Sequence, residues 1–226
     1  ALIANFQKDA QAQEPKFKDL EAPIQVLKNW NYYSNVNSVA TTLANEWAFK
    51  LNPILQKVYI DEGEKDQVEN MTEFAKTAGI DDMLPQLREV VQELQAKFGK
   101  WEIPWGDINR FQRPSGDIDL TYDDNKESLA MGTASVLWGS LPAFKSSYQN
   151  NSKKRYGYNG NSFICAVEFG PKIKAKSLLA GGNSGDPNSK HFFDQAKMYQ
   201  NAQFKDVLFY KEDVQKNAEK TYHPGE

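Results

Sequence analysis

Cysteine and histidine are scarce in this sequence. The single cysteine, Cys165, excludes any disulfide within the 226 residues. Cys165 lies in an apolar run, residues 163–167, with no basic neighbour to activate its thiol. We therefore expect it to be a small buried apolar residue rather than a nucleophile. The two histidines, His191 and His223, are too few for an ordinary zinc site, which needs several converging ligands.

An excess of charge of either sign is also missing. The 27 basic and 30 acidic residues leave a formal net charge of -3, which gives no electrostatic argument for a nucleic-acid partner. No apolar run approaches the length of a membrane span. The charged residues 61–66 lack the carboxylate order of a calcium loop, so a solvated loop is predicted there. The basic run at residues 153–155 has no helical face and is also interpreted as solvated.

Apolar residues in the first hundred positions recur with helical spacing. Residues 20–28 predict one helix. A second helix is expected over residues 36–51, capped by Ser34 or Asn35 and ended by Pro53. The clearest helix is predicted for residues 80–98, followed by Gly99 in the position that favours a left-handed residue. Its expected buried stripe consists of Leu84, Leu87, Val91, Leu94 and Phe98.

From residue 101 onward the pattern changes to short strands and long loops. Strands are predicted at residues 118–122, 163–169, 177–180 and 206–210, and a Gly170-Pro171-Lys172 turn joins the second and third of them. Further helices are expected at residues 194–201 and 211–220. The chain is therefore predicted to be α+β, helical over about residues 20–100 and rich in strands and loops over about 101–226. No linker divides residues 1–226 into independent domains.

The stretch around which the chain is organised is a glycine-rich loop between a strand and a helix. Gly181, Gly182 and Gly185 allow close backbone approach, and Pro187 restricts the loop. Residues 182–187 superficially match the nucleophile loop of chymotrypsin-type proteases. That mechanism is disfavoured because both histidines follow Ser184, and the Gly-x-Ser-x-Gly elbow fails because Asp186 replaces its last glycine.

A structural role is favoured for the polar residues of this loop. His191 and Asp194 are three residues apart at a helix start, where they can bind each other or loop amides. Asp194 is expected to cap the helix, and His191 to hold the loop through both ring nitrogens. Asn183, Ser184, His191 and Asp194 are therefore predicted to fix the loop.

Residues 182–195, Gly-Asn-Ser-Gly-Asp-Pro-Asn-Ser-Lys-His-Phe-Phe-Asp-Gln, resemble the C-terminal signature of the penicillin acylase and acyl-homoserine-lactone acylase family. That signature is roughly Gly-Gln-Ser-Gly-x-Pro-x-Ser-Pro-His-Tyr-x-Asp-Gln. Residues 27–31 with Trp47, Phe98-Gly99 with residues 105–110, and residues 160–163 are similar to further family segments in the same order. The chain departs from the pattern at Asn31, Asn183, Lys190 and Phe192.

The resemblance implies an N-terminal-nucleophile hydrolase with an αββα sandwich, of which this chain would be the C-terminal part of the β-subunit. In this family a precursor cleaves itself, and the serine freed at the start of the β-subunit attacks an acyl amide with its own α-amine as base. An oxyanion hole then holds the tetrahedral intermediate. The implied substrate joins an acyl chain to a small amine, such as a homoserine lactone or the β-lactam nucleus.

No residue of this chain matches the family's nucleophile, and Ala1 has no nucleophilic side chain. We expect no catalytic residue in this chain and no activity from it alone. The implied partners are the α-subunit and the N-terminal part of the β-subunit. No cofactor or metal is expected within the chain, and a structural calcium ion would be held by residues outside it. The resemblance implies a periplasmic or secreted location.

A different class of function, a non-catalytic carbohydrate-binding module, is the alternative. Residues 30–35 and 148–161 combine aromatic and asparagine side chains, which suit sugar recognition. Aromatic residues are more often packing anchors, and composition alone does not define a site.

Overall fold

The computed structural model describes residues 15–62, 67–115, 121–134, 144–149, 151–223 and Gly225. Helices dominate the chain as far as Phe98, and the strands follow, which confirms the predicted α+β class. After a 3-10 helix at Pro15–Leu20, the helices are α1 (Glu21–Lys28), α2 (Val39–Glu62), α3 (Gln67–Thr77), α4 (Ile80–Phe98), α5 (Trp105–Ile108), α6 (Ala196–Gln200) and α7 (Lys211–Lys216).

The strands form two sheets. They are β1 (Asn109–Phe111), β2 (Leu129–Ala130), β3 (Phe144–Tyr148), β4 (Arg155–Gly160), β5 (Phe163–Glu168), β6 (Lys174–Leu179) and β7 (Lys205–Asp206). The first sheet has the order β2-β1-β4-β3, with β1 parallel to β4 and the other pairs antiparallel. The second sheet, β5-β6-β7, is antiparallel throughout.

The helices bury a continuous apolar core. Leu20, Leu43 and Leu87 are fully buried at its centre, where α1, α2 and α4 meet. The α4 helix has the predicted bounds, and Gly99 follows it at φ 82° with its amide donating to the Gln95 carbonyl at 2.9 Å. Leu84, Leu87 and Leu94 of the predicted stripe are buried, whereas Val91 and Phe98 are only partly buried and Val90 is buried instead.

The second helix differs from its prediction at both ends. Ser38 caps it, because its hydroxyl accepts the Thr41 amide at 3.0 Å. The helix also continues through Pro53, which was expected to end it. Proline removes one hydrogen bond inside a helix, but Pro53 is exposed, and the flanking Leu51 and Ile54 pack on the core. Packing of this apolar face outweighs the local penalty.

The two sheets bury fewer apolar side chains than the helices do. Met131, Phe144, Leu178 and Tyr199 form a small apolar cluster where the two sheets meet α6. The β5–β6 hairpin is present as predicted, although β6 begins at Lys174 rather than at Ser177. Of residues 206–210 only Asp206 belongs to a strand, and the last helix ends at Lys216. Residues 116–120 lie outside the described part, and Thr121 and Tyr122 are not in a strand.

The prediction of a buried Cys165 is wrong. Cys165 is exposed. Because successive side chains of a strand point to opposite faces, Cys165 lies on the same face of the second sheet as Phe163 and Val167. Ala175 of β6 and Val207, whose amide donates to the Ala175 carbonyl, extend this apolar face. An apolar strand indicates burial only when both faces of its sheet are covered, and Phe163, Cys165 and Val167 are exposed, although Ser177, opposite Cys165 on β6, is buried.

The prediction of a solvated basic run is also wrong at Arg155. Its side chain is 9% exposed and pairs with Glu46 of α2 at 3.2 Å. The guanidinium lies 4.3 Å from the Phe49 ring and 4.8 Å from the Tyr148 ring. Glu46 and Phe49 come from a helix far away in the chain, so the local sequence carried no sign of them. This buried pair joins the helices to the first sheet.

Candidate functional site

The glycine loop, defined here as residues 181–194, connects β6 to α6 and closes on itself. The Gln195 amide donates to the Gly181 carbonyl at 2.8 Å, which brings the two ends of the loop together. Further along, the Ser184 amide donates to the His191 carbonyl at 3.1 Å. The loop is therefore held across its width by main-chain hydrogen bonds.

Gly182 is the tightest position of the loop. A Cβ atom at this residue would lie 2.1 Å from the His191 carbonyl oxygen and 2.7 Å from Asp194 Oδ1. Since a main-chain atom cannot retreat without moving the loop, glycine is required for the close approach. Gly185, in contrast, has open space around it, with nothing within 4 Å of an added Cβ.

Short side chains shape the outer turn. Ser184 Oγ accepts the Asp186 amide at 3.1 Å, Asp186 Oδ1 accepts the Asn188 amide at 2.9 Å, and Ser189 Oγ accepts the His191 amide at 3.2 Å. Each bond spans two residues, as in the side-chain turns that Ser and Asp favour. The Ser184 hydroxyl thus accepts a loop amide, and its carbonyl accepts a bond from Arg113 at 3.0 Å.

His191 and Asp194 contact each other. His191 Nδ1 lies 2.8 Å from Asp194 Oδ2, and the hydrogen bond from His191 is the main cause that lowers the pKa of Asp194. The expected capping role of Asp194 is wrong, because Gln195 is the residue before α6 and no side chain caps that helix. Asp194 bonds to the histidine instead.

The predicted loop residues thus take different positions. Ser184 and His191 contact each other through their main chains, and His191 and Asp194 through their side chains. The Asn183 side chain is exposed and has no hydrogen bond within the described residues. The loop-fixing role of these four residues stays a prediction.

Arg113, which the sequence analysis did not single out, holds the loop from outside. It follows β1, donates to the carbonyl oxygens of Phe192 and Ser184, and stacks 4.0 Å from the Phe192 ring. An arginine presents several donors in one plane, so a single side chain can fix two carbonyl groups. These partners are 79 and 71 residues away, beyond the reach of any local pattern.

The segment before Arg113 is built around Asn109, a second residue that the sequence analysis did not assign. Its fully buried amide donates to the carbonyls of Met131 and Thr133 at 2.9 and 2.8 Å. The Ser146 hydroxyl donates to Asn109 Oδ1 at 2.7 Å. The Asn109 amide, with its hydrogen bonds satisfied, therefore links β1 to the segment after β2 and to β3.

Two kinds of site can be assessed over the described residues. Within that part of the chain, no group of three or more His, Cys, Asp or Glu residues is arranged to hold a metal ion. None of its helices combines the length and the apolar character that a bilayer span demands.

The aromatic residues that motivated the carbohydrate alternative include both packed and exposed side chains. Tyr156 is fully buried and stacks on Tyr122 at 4.8 Å, and Tyr148 lies between Lys97 and Arg155. Tyr32, Tyr33 and Tyr158 are exposed.

Comparison with known proteins gives one family match. The family model described as penicillin amidase matches residues 2–216, which is nearly the whole chain. It includes the glycine loop and the segment around Asn109, and it confirms the resemblance inferred from those motifs. It lends no support to the carbohydrate alternative.

Proposed function

Because this chain belongs to the penicillin amidase family, we propose that it is a structural part of an acylase. The acylase would hydrolyse the amide between an acyl chain and a small amine, such as a homoserine lactone or the β-lactam nucleus. The single observation that carries this proposal is the family match over residues 2–216.

The proposed nucleophile is a serine of another segment of the same precursor, freed by self-cleavage and activated by its own α-amine. The geometry of Ser184 supports this assignment. Its hydroxyl accepts the Asp186 amide at 3.1 Å, and among the described residues no hydrogen bond joins it to a ring nitrogen of His191, as a serine activated by histidine would require. Ser184, His191 and Asp194 are proposed to shape the loop, and Asn183 to lie at its exposed edge.

The apolar face of the second sheet supports the proposed partners, the α-subunit and the N-terminal part of the β-subunit. Phe163 and Val167 are 57% and 46% exposed on this face. The opposite face carries the pairs Glu168–Lys174 and Lys176–Asp206 beyond the buried Leu178. The face is apolar along β5 and has the exposed Lys205 at its β7 edge, and an apolar patch rimmed by polar residues is typical of a surface that another polypeptide covers. The periplasmic or secreted location remains part of the proposal.

The first experiment is intact mass and denaturing electrophoresis of the protein isolated under native conditions. We expect further polypeptides to accompany this chain, one of them beginning with serine. The assembled protein should release amine from acyl-homoserine lactones or penicillins, and the separated 226-residue chain should not. Turnover by the separated chain would overturn the assignment of the nucleophile to another segment.

A matched pair of variants tests the role of the loop serine. In the assembled protein, Ser184→Ala should keep measurable turnover, whereas replacing the N-terminal serine of the partner segment with alanine should abolish it. Loss of all turnover in a folded Ser184→Ala protein would assign chemistry to Ser184 and contradict the proposal.

The exposed thiol offers an independent test of the partner surface. Cys165 should react rapidly with a thiol reagent in the separated chain and much more slowly in the assembled protein. Equal labelling rates would show that the apolar face is not covered on assembly.

A further inference from the structure

The second sheet has an open edge at β5. In the order β5-β6-β7, β5 bonds to β6, and among the described residues no strand lies on its other side. The Ala180 amide donates to the Ser162 carbonyl at 3.0 Å, directly before β5, and the register with β6 continues without a shift along the whole strand. The direction of each main-chain group of β5 therefore follows from this register.

Three residues of β5 direct their main-chain groups toward the open edge. In an antiparallel pair, positions that bond to the neighbouring strand alternate with positions that point away from it. Ser162 bonds to the β6 side, so Phe163, Cys165 and Val167 point away. Ala175, opposite Val167, fits this alternation, because its carbonyl accepts a bond from the far side of β6. Within the described part of the chain, the three outward residues have no main-chain partner.

β5 lacks the features that protect the other sheet edges. β2 and β7 are only two residues long, and β7 consists of the charged Lys205 and Asp206. β3 carries the exposed Lys145, next to which its register with β4 shifts. Short strands, charges and register shifts keep an edge from pairing with another chain. β5 has six residues, no proline and no charge before Glu168.

The side chains of this edge are open as well. Phe163, Cys165 and Val167 lie on one face and are exposed, and Ile164 is the partly buried residue of the strand. A strand that completes the edge must therefore have free main-chain groups at alternate positions and uncharged side chains beside these three residues. Cross-strand pairs of apolar side chains then stabilise the contact.

β5 itself meets both requirements. When a two-fold axis passes between the two copies at Cys165, Cys165 lies opposite Cys165 of the second copy, and Phe163 lies opposite Val167. All three outward residues of each copy then form hydrogen-bonded pairs, and Glu168 lies opposite the uncharged Ser162. A two-fold interface requires a surface that is complementary to itself. The positions of the outward groups on β5 are symmetric about Cys165, which favours a second copy as the partner.

We propose that β5 pairs antiparallel with β5 of a second copy of this chain, joining two three-stranded sheets into one of six strands. The proposal rests on the edge alone and holds whether or not the assembled protein is an acylase.

Sedimentation of the purified 226-residue chain at several concentrations measures the association. A single strand pair is a small interface, below about 1,200 Å², so the dissociation constant should be above about 1 μM. Val167→Lys should weaken the dimer at least about tenfold, because lysine at an edge opposes strand pairing. Val214→Lys is the matched control and should leave the dimer unchanged, since both valines are 46% exposed and Val214 lies in α7.

Cross-linking tests the register. In the proposed pair, the two Cys165 Cα atoms are about 5.5 Å apart, within the range of about 4.4–6.8 Å that a disulfide needs. Diamide, which takes up the two thiol hydrogens, should therefore join two unmodified chains through Cys165. In a Cys165→Ser background, a mixture of Phe163→Cys and Val167→Cys chains should cross-link, whereas neither variant should cross-link with itself.

Several results would overturn the proposal. A chain that stays monomeric at all concentrations would leave the edge to a strand of another polypeptide. Cross-linking of Phe163→Cys with itself would show a different register or a parallel pair. Equal association of Val167→Lys and the unmodified chain would show that the copies meet elsewhere. If a lysine variant fails to fold, cross-linking of the unmodified chain and of the cysteine pair still decides.

Discussion

The helical region, residues 15–98, and the sheet region, residues 109–216, differ in how completely they bury their apolar side chains. Among the described residues, the helical region contributes most of a core of 14 buried apolar side chains, whereas the cluster of the sheet region has four. Most of the large apolar side chains that are exposed belong to the sheet region. The helices therefore bury their apolar side chains within this chain, whereas the second sheet leaves apolar side chains exposed on one face. We therefore expect stability to depend mainly on the first region, and the second sheet carries the surface that we propose for assembly.

The largest effect is expected where the two regions are joined. Arg155→Met leaves Glu46 buried without its cation, so the free energy of unfolding at pH 7 should fall by about 3–5 kcal/mol. Burial raises the pKa of Glu46 more than Arg155 and Lys97 lower it. A raised carboxyl pKa favours the folded state at low pH and less so as pH rises through the folded value. The loss should therefore shrink as the pH is lowered toward 5.

Urea unfolding followed by circular dichroism measures this effect. The double variant Glu46→Gln with Arg155→Met removes both charges and should recover much of the loss, because no unpaired ion stays buried. A loss in the single variant that does not vary with pH would show that packing of the Arg155 side chain, rather than charge, joins the regions.

The next effect compares the same substitution in the two regions. Leu87→Ala, in the fully buried centre of the helical core, should lower the free energy of unfolding by about 2–5 kcal/mol. Leu208→Ala, where the side chain is 43% exposed, should change it by less than about 0.5 kcal/mol. The measurement is again urea unfolding of the separated chain. Similar losses at both positions would contradict the contrast drawn between the regions.

A smaller effect is expected in the glycine loop. Gly182→Ala places a Cβ against the His191 carbonyl and should destabilise the chain by about 1–3 kcal/mol. Gly185→Ala, with open space around it, is the matched control and should be near neutral. Thermal unfolding and the NMR shifts of the loop amides report both. A neutral Gly182→Ala would mean that the loop yields easily and does not anchor α6.

The smallest effect concerns the exposed pair His191 and Asp194. The lowered pKa of Asp194 stabilises the fold above the ordinary carboxyl pKa, and this contribution disappears as pH falls through the lowered value. At pH 7 the unmodified chain should therefore be slightly more stable than Asp194→Asn. This difference in the free energy of unfolding should disappear as the pH is lowered to 3. Unfolding curves at several pH values, with NMR titration of the Asp194 carboxyl, test the sign. A stability difference that increases in acid would contradict the expected sign.

The parts that sequence analysis predicted well are those whose signals are local. The α4 helix was predicted with both of its ends, because an apolar stripe and a following glycine lie within one continuous segment. The β5–β6 hairpin and the glycine loop were recognised for the same reason. Pro53 shows where local signals fail. It predicts the end of a helix, but packing of Leu51 and Ile54 on distant helices keeps the helix continuous.

In the candidate site, the loop was located from sequence but its support was not. The paired glycines, the short polar residues and the His191–Asp194 spacing marked the loop, and the family resemblance followed from them. Asn109 in β1 and Arg113 just after it carry no local signal of these roles, because an isolated asparagine or arginine is ordinary until its partners are known. The predicted cap by Asp194 failed because Gln195 is the residue before α6, and the Asp194 carboxylate contacts His191 Nδ1 at 2.8 Å instead.

The sequence by itself determined the α+β class, the helical periodicity, the glycine loop and the family. Each of these depends on residue types within a short stretch or on motifs in a fixed order. Only the tertiary structure decided that Arg155 is buried against Glu46, that Cys165 faces outward and that Arg113 holds the loop. These outcomes depend on groups brought together from 71 to 109 residues apart, or on whether a sheet face is covered. Burial and pairing are properties of the folded surface, so residue type alone does not set them.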